Sequence, residues 1–260
     1  MTFLDQITVL ILTYNEEENI DRTLQALTLF PEVVVLDSFS TDATLDILTK
    51  YPNVRSVARP FDSHAAQWNF GLNGCGIERP WVLALDADYV LNSKLVEEIA
   101  ALEPDDAICG YQIGFRYCIF GRALRASLYP AVIALYRRAS TMYIQDGHTQ
   151  RAVVNGAIKA LLYKINHDDR KPLSRWFSSQ QRYAKIEVDH LLSASSAKLR
   201  RNDRIRMMAW PAPILVFLYT LIWKRCILDG WRGWLYALQR TLFEILFAIE
   251  VIDRRLRQEK

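Results

Sequence analysis

Two aspartates separated by one small residue give the strongest chemical signal in the sequence. Asp86 and Asp88 follow the apolar run 81–85, whose length and composition predict a strand buried on both faces. Ligands of open α/β sheets bind just beyond the carboxyl ends of the strands, so both carboxylates are expected at a binding edge. A cation bridging to a phosphate would offset the cost of holding two carboxylates there, and hard oxygen ligands suit Mg²⁺ or Mn²⁺ better than zinc. For this motif alone, a solvated turn is the alternative interpretation.

Polar residues also follow two earlier apolar runs of strand length. They are Thr13, Asn15 and Glu16 after the first run and Asp37 after the second. Apolar residues at helical spacing come after each run, so strands and helices alternate along the first half of the chain. This alternation predicts a largely parallel, doubly wound sheet with the polar residues along one edge. The edge has the composition of a pocket for a polar base, hydroxyl groups and phosphates.

Composition limits the possible classes of protein. The 260 residues are 51% hydrophobic and 23% charged, enough for one large domain or one domain with an appendage. The net charge of +3 argues against a dedicated nucleic-acid binder. The four cysteines form no Cys-x-x-Cys pair, and the sequence has neither a Gly-x-Gly-x-x-Gly run nor a P-loop. A zinc or redox motif, a dinucleotide site and a P-loop site are therefore not indicated, and no secretory signal is expected.

Three short motifs, taken in order, resemble the N-terminal signature of the family-2 inverting glycosyltransferases. They are Leu12-Thr-Tyr-Asn-Glu-Glu, Leu36-Asp-Ser-Phe-Ser-Thr-Asp-Ala-Thr and Leu85-Asp-Ala-Asp. The resemblance covers roughly residues 5–190. It implies the GT-A fold, an α/β architecture with a Rossmann-like, mostly parallel sheet and helices on both faces. It also implies a hexosyltransferase that uses a UDP-sugar and Mn²⁺ or Mg²⁺.

The resemblance also implies roles for individual residues. Asp37 would reach the base, Asp86 would lie near the ribose, and Asp88 would ligate the metal on the diphosphate, with His167 as a second ligand. The residues implied to bind the nucleotide sugar are Thr13, Asn15, Glu16, Asp37, Arg59, Asn69 and Asp86. Alternatives remain open for three positions: Thr13 as the start of a helix, Asn69 as a capping or packing residue, and His167 as part of a surface turn.

The middle of the chain has to supply the catalytic base. Inverting transfer needs one general base to deprotonate the acceptor hydroxyl as it attacks the anomeric carbon. Asp146 matches the family position best, although Gln145-Asp146-Gly147-His148 departs from the usual family pattern, and His148 is the alternative base. Residues 179–184 read Ser-Gln-Gln-Arg-Tyr-Ala instead of the Gln-x-x-Arg-Trp motif of processive synthases. Addition of a single sugar is therefore expected.

A narrower resemblance concerns the acceptor. Phe120-Gly-Arg122, Tyr129-Pro130 and Arg137-Arg138 resemble the glucosyltransferases of lipopolysaccharide inner-core assembly and related exopolysaccharide enzymes. Those enzymes usually have Asp after the proline, where this chain has Ala131, which is consistent with a different acceptor. The arginines expected to bind acceptor phosphate are Arg116, Arg122 and Arg137. Solvated or internally paired arginines are the alternative.

The last part of the chain suggests a membrane interface. We expect a GT-A catalytic domain over residues 1–195 and basic, amphipathic helices over residues 196–260. An almost wholly apolar stretch, 207–223, follows a basic run, and tryptophans beside basic residues are typical of interfacial helices. Peripheral, monotopic attachment to the cytoplasmic face of the cell membrane is therefore favoured over simple core packing, and a transmembrane hairpin comes third.

Together these features predict a metal-dependent, inverting hexosyltransferase. It would transfer a hexose, most simply glucose, from a UDP-sugar to a membrane-anchored glycolipid such as the lipopolysaccharide core, with no nucleic-acid partner. A non-catalytic sugar-nucleotide-binding scaffold on the membrane is the alternative from another class. A nucleotidyltransferase is a third possibility, and the missing Gly-rich phosphate loop counts against it.

Overall fold

The computed structural model describes residues 2–146, 149–193 and 199–258, except for the side chains of Asp146 and Thr149. The chain forms two compact units. The first comprises Met1–Ala123 and Tyr129–Lys171, and the second comprises Leu124–Leu128 and Pro172–Lys260. The functional division expected after residue 195 stays a prediction, and the compact units divide earlier in the chain.

A central sheet organises the first unit. The strands of this unit are β1 (Ile7–Thr13), β2 (Val33–Asp37), β3 (Val54–Ala58), β4 (Trp81–Asp86), β5 (Tyr89–Val90), β6 (Ile108–Ile113), β7 (Phe115–Ile119), β8 (Arg122–Ala123), β9 (Val132–Arg137), β10 (Thr141–Asp146), β11 (Thr149–Val154), β12 (Ala157–Ala160) and β13 (Ile165–His167). Seven of them form one sheet in the order β12-β6-β9-β4-β1-β2-β3. The pairings of β4 with β1, β1 with β2 and β2 with β3 are parallel, whereas β9 runs antiparallel to β4 and β6. The expected mostly parallel sheet is confirmed.

Helices cover both faces of this sheet. They are α1 (Ile20–Gln25), α2 (Thr44–Leu48), α3 (His64–Gly74) and α4 (Ser93–Ala100). Successive residues of a strand point to opposite faces, so Val9 of β1 joins the core under α1 and α4, while Leu10 joins the core under α3. Because both faces are buried, the central strands are continuous apolar runs without alternation. The expectation of helices on both faces is also confirmed.

The register of the central strands brings the polar strand ends together. Thr13 at the end of β1 lies opposite Asp37 at the end of β2. On the other side of β1, Leu12 lies opposite Asp86 at the end of β4. The carboxyl ends of all three strands therefore meet at one edge, as the sequence predicted.

Two smaller sheets flank this edge. One has the strand order β5-β13-β7-β8, and its register places His167 beside Tyr89 on one strand and Tyr117 on the other. The other is the antiparallel hairpin of β10 and β11. The β5 strand begins directly after Asp88, so this small sheet carries His167 to the aspartate pair.

The second unit is helical. It contains α5 (Leu173–Ser193), α6 (Arg201–Met207), α7 (Pro211–Leu218), a π-helical turn (Tyr219–Trp223), a 3₁₀ turn (Cys226–Asp229) and α8 (Trp231–Gln258). α5 packs on α8 through a small apolar core that includes Val188, Phe247 and Val251. The half-buried guanidinium of Arg206 joins the same helices, with 3.0 Å to Glu244 and 3.1 Å to Glu187. Within the described ranges, every helix is too short or too polar to cross a bilayer.

Candidate active site

A buried hydrogen bond joins the first two strand ends. Thr13 Oγ1 donates to Asp37 Oδ1 over 3.0 Å, and both residues are almost fully buried. The Asp37 carboxylate also accepts from the backbone N–H of Ser40 at 2.8 Å and from its hydroxyl at 2.5 Å. Three donors therefore fix this carboxylate at the edge of the sheet.

Asn15 connects the loops that follow β1 and β2. It adopts a left-handed backbone conformation with φ of 55°, which asparagine tolerates better than most residues. Its backbone N–H donates to Ser40 Oγ at 2.8 Å, and its side-chain oxygen accepts from the backbone N–H of Thr41 at 2.7 Å. The structure therefore gives Asn15 a part in shaping the pocket wall, and contact with a nucleotide sugar stays a prediction.

Arg59 and Asn69 lie on the β3–α3 side of the edge. Arg59 forms an ion pair with Asp62 at 2.7 Å, bonds to the side chain of Gln67, and stacks 4.9 Å over the Phe70 ring. Asn69 donates to the carbonyl of Tyr143 and accepts from its backbone N–H, both at 2.9 Å. These two bonds hold α3 to β10, which is the packing role given above as the alternative for Asn69.

The aspartate pair has two different electrostatic environments. Burial, reinforced by the charge of Asp88, raises the pKa of Asp86 to about 6. Asp88 Oδ2 lies 3.1 Å from His167 Nε2. Burial favours the neutral form of Asp88, but the attraction and hydrogen bond of His167 outweigh it and lower the pKa of this carboxyl. Asp88 is thus the more strongly ionised member of the pair.

His167 is held in an aromatic enclosure. Four rings lie around its imidazole at centroid distances of 4.8–6.2 Å: Tyr129, Tyr117, Tyr89 and Phe115. Burial favours the neutral imidazole, yet Asp88 outweighs it and raises the pKa of His167. Its Nδ1 atom is buried and has no hydrogen-bond partner among the described residues. The surface-turn alternative for His167 is wrong, because the residue is 8% exposed on a strand of the small sheet.

A buried ion pair lies beside the aspartates. Lys171 Nζ is 2.5 Å from Glu16 Oε1. Burial raises the pKa of Glu16 to about 7 despite this lysine. Burial opposes the charge of Lys171 as well, but Glu16 and Asp88 together prevail and raise its pKa. Lys171 is therefore a permanent cation facing the acidic edge, and no local sequence pattern predicts this role for it.

Asp168 anchors the segment that carries His167. This carboxylate is 4% exposed and accepts from Arg22 at 2.8 Å, from Arg170 at 2.9 Å and from the backbone N–H of Gly121 at 3.1 Å. The bonds tie α1 and the β7–β8 turn to the stretch 167–171. The only sign of this network in the sequence is the dense run of charges directly after His167.

The three candidate acceptor arginines do not lie together. Arg116 on β7 and Arg122 on β8 are exposed, and they stand on the small sheet that also contains His167. Arg137 lies opposite Trp81, at the start of β4, because β9 runs antiparallel. Its guanidinium donates to the carbonyls of Ile108 and Asp105 and stacks over the Trp81 ring. The structure therefore corrects the grouping: Arg137 is internally paired at the edge opposite the site.

For the candidate base, Asp146, the structure describes the position of the backbone. Asp146 ends β10, directly after Gln145, whose side-chain oxygen accepts from the backbone N–H of Ala65 in the first turn of α3. That turn follows the carboxyl end of β3, so the backbone of Asp146 lies at the same edge as the other candidates. The Asp146 side chain and the whole of His148 lie outside the described residues, and their assignment as base stays a prediction.

With this geometry, the comparisons with known proteins decide the family. The model of glycosyl transferase family 2 matches residues 8–157, which include all three strand-end motifs. The chain belongs to glycosyltransferase family 2. The GT-A fold and the glycosyltransferase class expected from the motifs are thereby confirmed, whereas the hexose and the metal dependence stay predictions.

Relatives extend the similarity over most of the chain. The lipopolysaccharide core biosynthesis glycosyltransferase LpsC of Rhizobium meliloti (strain 1021) is 29% identical over 260 aligned residues, covering 95% of this chain and 92% of LpsC. An uncharacterized glycosyltransferase of Rickettsia bellii (strain RML369-C) is 30% identical over 142 residues, covering 53% of this chain and 46% of that protein. The crystal structure of S. aureus TarS 1–349 in complex with UDP-GlcNAc is 17% identical with a TM-score of 0.49, covering 98% of this chain and 92% of that one.

Proposed function

We propose that this glycosyltransferase is a metal-dependent, inverting hexosyltransferase that transfers glucose from a UDP-sugar to a membrane-anchored glycolipid of the lipopolysaccharide-core type. The observation that carries the proposal is the convergence, at one sheet edge, of the Thr13–Asp37 pair with Asp86 and the Asp88–His167 pair. The similarity to LpsC over nearly the full length of both chains supports the acceptor class.

The donor half of the site suits a uridine nucleotide. Uracil presents an N–H donor, and Asp37 is a buried carboxylate with its orientation already fixed by Thr13 and Ser40. Asp86 ends β4, which is separated from β2 by β1, and it can accept from ribose hydroxyl groups when it is ionised. Lys171 adds a positive charge beside these carboxylates, where the diphosphate of a nucleotide sugar would be attracted.

The residues present fit a divalent cation. Two donor atoms of suitable chemistry, Asp88 Oδ2 and His167 Nε2, already converge to 3.1 Å. A ligand set of one carboxylate and one imidazole suits Mn²⁺ better than a ligand set of oxygen atoms alone does. Asp88 is also the more strongly ionised residue of the Asp86–Asp88 pair. When bound, the cation would supply charge compensation for the donor diphosphate. The described residues also place ligand atoms of Glu17, Glu18 and Asp42 within 4.8 Å of one another. There Asp42 accepts from the backbone N–H of Glu17, and Glu17 accepts from that of Ala43, so these bonds join the loops after β1 and β2.

The acceptor half is assigned to Asp146 and the small sheet. Asp146 would take the proton of the acceptor hydroxyl as its oxygen bonds to the anomeric carbon, while the bond from that carbon to the UDP oxygen breaks. Attack from the face opposite the leaving UDP inverts the anomeric configuration. Arg116 and Arg122, which are exposed on the small sheet, would bind acceptor phosphate.

The test is Asp88→Ala in the full chain, assayed for Mn²⁺-dependent UDP-glucose turnover. We expect a loss of at least 100-fold with an unchanged circular-dichroism spectrum, because the variant lacks the ionised ligand at the diphosphate. Asp106→Asn is the matched control, since that carboxylate is fully exposed and lies outside the site. Unchanged turnover in Asp88→Ala would contradict the proposal. Binding of UDP-glucose by the wild type without transfer to any glycolipid extract would favour the non-catalytic scaffold.

A further inference from the structure

The second unit exposes a continuous series of large apolar side chains. Three tryptophans mark it, with Trp210, Trp223 and Trp231 exposed by 70%, 78% and 88%. The apolar residues between them that are also exposed are Ile214, Leu215, Leu218, Tyr219, Ile222, Ile227 and Leu228. We call these ten residues the Trp210–Trp231 face. Soluble monomers seldom expose so many neighbouring apolar groups, and such patches mark interaction surfaces.

The face follows one side of a helix. In α7 and the π-helical turn, the exposed residues recur in pairs at intervals of four, from 214–215 to 218–219 and 222–223. The opposite side is directed inward: Ala212, Thr220 and Leu221 are buried, and the Phe217 ring lies 6.1 Å from that of Trp234 on α8. The large apolar side chains of α7 and the π-helical turn therefore lie mainly on the solvent-exposed side. Since the inner side is occupied by α8, a partner would meet the helix along its length.

Basic residues lie beside the tryptophans of the face in sequence. Lys224 and Arg225 come directly after Trp223, and Arg232 directly after Trp231. Over residues 203–244 the sequence has six basic and three acidic residues, and one of the basic residues, Arg206, is paired with Glu187 and Glu244. Asp229, the one acid between Trp223 and Trp231, pairs with Arg125 at 3.4 Å. The rim of the face is therefore cationic.

We propose that the Trp210–Trp231 face docks this enzyme on an anionic lipid bilayer, with α7 lying parallel to the membrane surface. The indole rings suit the headgroup depth because they combine apolar area with one N–H donor, and the aliphatic residues between them enter the acyl region. Lys224, Arg225 and Arg232 then meet lipid phosphates. The inference rests on the proposed function for its purpose, since a glycolipid acceptor lies in such a bilayer.

A second copy of this chain fits the same face less well. A two-fold interface would place the same patch on both subunits and bring its cationic rims close together. Like charges at close range oppose association, whereas the same rim is attracted to anionic lipid. Charge complementarity therefore selects the bilayer as the partner.

The first experiment measures co-sedimentation of the full chain with vesicles of equal parts phosphatidylcholine and phosphatidylglycerol. We expect the wild type to bind and Leu228→Asp to bind at least tenfold more weakly, because a charge replaces a side chain that would be buried in lipid. The matched control is Leu162→Asp, which changes a leucine of the first unit that is 76% exposed, against 60% for Leu228. Absence of wild-type binding, or an equal loss in both variants, would overturn the inference.

The second experiment separates the charges from the apolar groups. We expect Lys224→Gln with Arg225→Gln to weaken binding to the same vesicles by about fivefold for each charge removed, and to leave binding to pure phosphatidylcholine vesicles unchanged.

A different result would assign the face to a second copy of the chain and overturn the inference. In that case the wild type would sediment as a dimer and would not bind vesicles, and Leu228→Asp would sediment as a monomer. UDP binding, measured by calorimetry without lipid, should be unchanged in all these variants. If the wild type itself failed to bind UDP, that result would contradict the proposed function but would not affect the conclusion from the vesicles.

Discussion

Lys171 Nζ and Glu16 Oε1 lie 2.5 Å apart and connect two distant parts of the chain at the acidic edge of the sheet. Glu16 follows the end of β1, whereas Lys171 follows the strand that carries His167. Asn19 strengthens the link, because its side-chain amide donates at 3.0 Å to both Glu16 and Asp169. The pair thus fixes the His167 segment against the loop after β1, and Lys171, whose side chain is 20% exposed, offers the edge a largely buried cation.

We expect Lys171→Met to raise the KM for the UDP-sugar by about tenfold and to lower the free energy of unfolding by about 2 kcal/mol. The first effect follows from loss of a cation near the diphosphate, and the second from leaving Glu16 buried without its partner. Steady-state kinetics and urea denaturation provide the measurements. The double variant with Glu16→Gln should recover part of the stability but none of the KM. Recovery of KM in the double variant would show that Lys171 acts only through Glu16.

Glu16 should also give the protein a distinct pH dependence of stability. Burial raises the pKa of this acid from 4.5 to about 7. The fold therefore favours its protonated form, and the associated stability is present below pH 4.5 and is lost as the pH rises to about 7. Relative to Glu16→Gln, the wild type should lose about 3 kcal/mol across this window. Urea denaturation of both proteins from pH 4.5 to pH 7.5 measures the difference, and parallel curves would contradict the raised pKa.

The hydrogen bond between Thr13 and Asp37 can be tested against a matched bond on the same strand. Thr13→Val removes the 3.0 Å bond that orients Asp37, so we expect a three- to tenfold higher KM for the UDP-sugar and little change in kcat. Thr8→Val is the control, because Thr8 bonds to Glu32 at 2.6 Å from the opposite end of β1. Both variants should lose about 1 kcal/mol of stability. An equal rise in KM for the two would show that the effect is structural.

Apolar runs made the central sheet predictable. A parallel strand covered on both faces has to be continuously apolar, so β1, β2 and β4 were evident in the sequence. Once they are parallel, their carboxyl ends share one edge, which is why Asp37, Asp86 and the neighbouring Asp88 could be predicted from the sequence to lie at the same edge. The family motifs lie on these same strand ends, so the motifs and the strand pattern predict the same edge of the sheet.

Contacts between distant segments were less predictable. The bond between Asp168 and Arg22 joins residues 146 positions apart, and no local pattern announces such a pair. Lys171 is hidden in the same way within a charged run that resembles a solvated turn. The position of Arg137 depends on the direction of β9, which lies between β4 and β6 and runs antiparallel to both. A strand with a basic end looks the same in sequence whichever way it runs.

That direction leads to a final prediction, which separates Arg137 from Arg122. We expect Arg137→Gln to leave the KM for the acceptor within twofold of the wild type, because this guanidinium lies beside the start of β4 at the edge opposite the site. It should lower the free energy of unfolding by about 1–2 kcal/mol, since it loses a 2.9 Å bond to the carbonyl of Ile108 and the contact with the Trp81 ring. Arg122→Gln should do the reverse, raising the acceptor KM about tenfold with little loss of stability, because that side chain is exposed on the small sheet. Acceptor kinetics and urea denaturation of the two variants decide the matter, and a tenfold rise in acceptor KM for Arg137→Gln would mean that the acceptor reaches the other edge of the sheet.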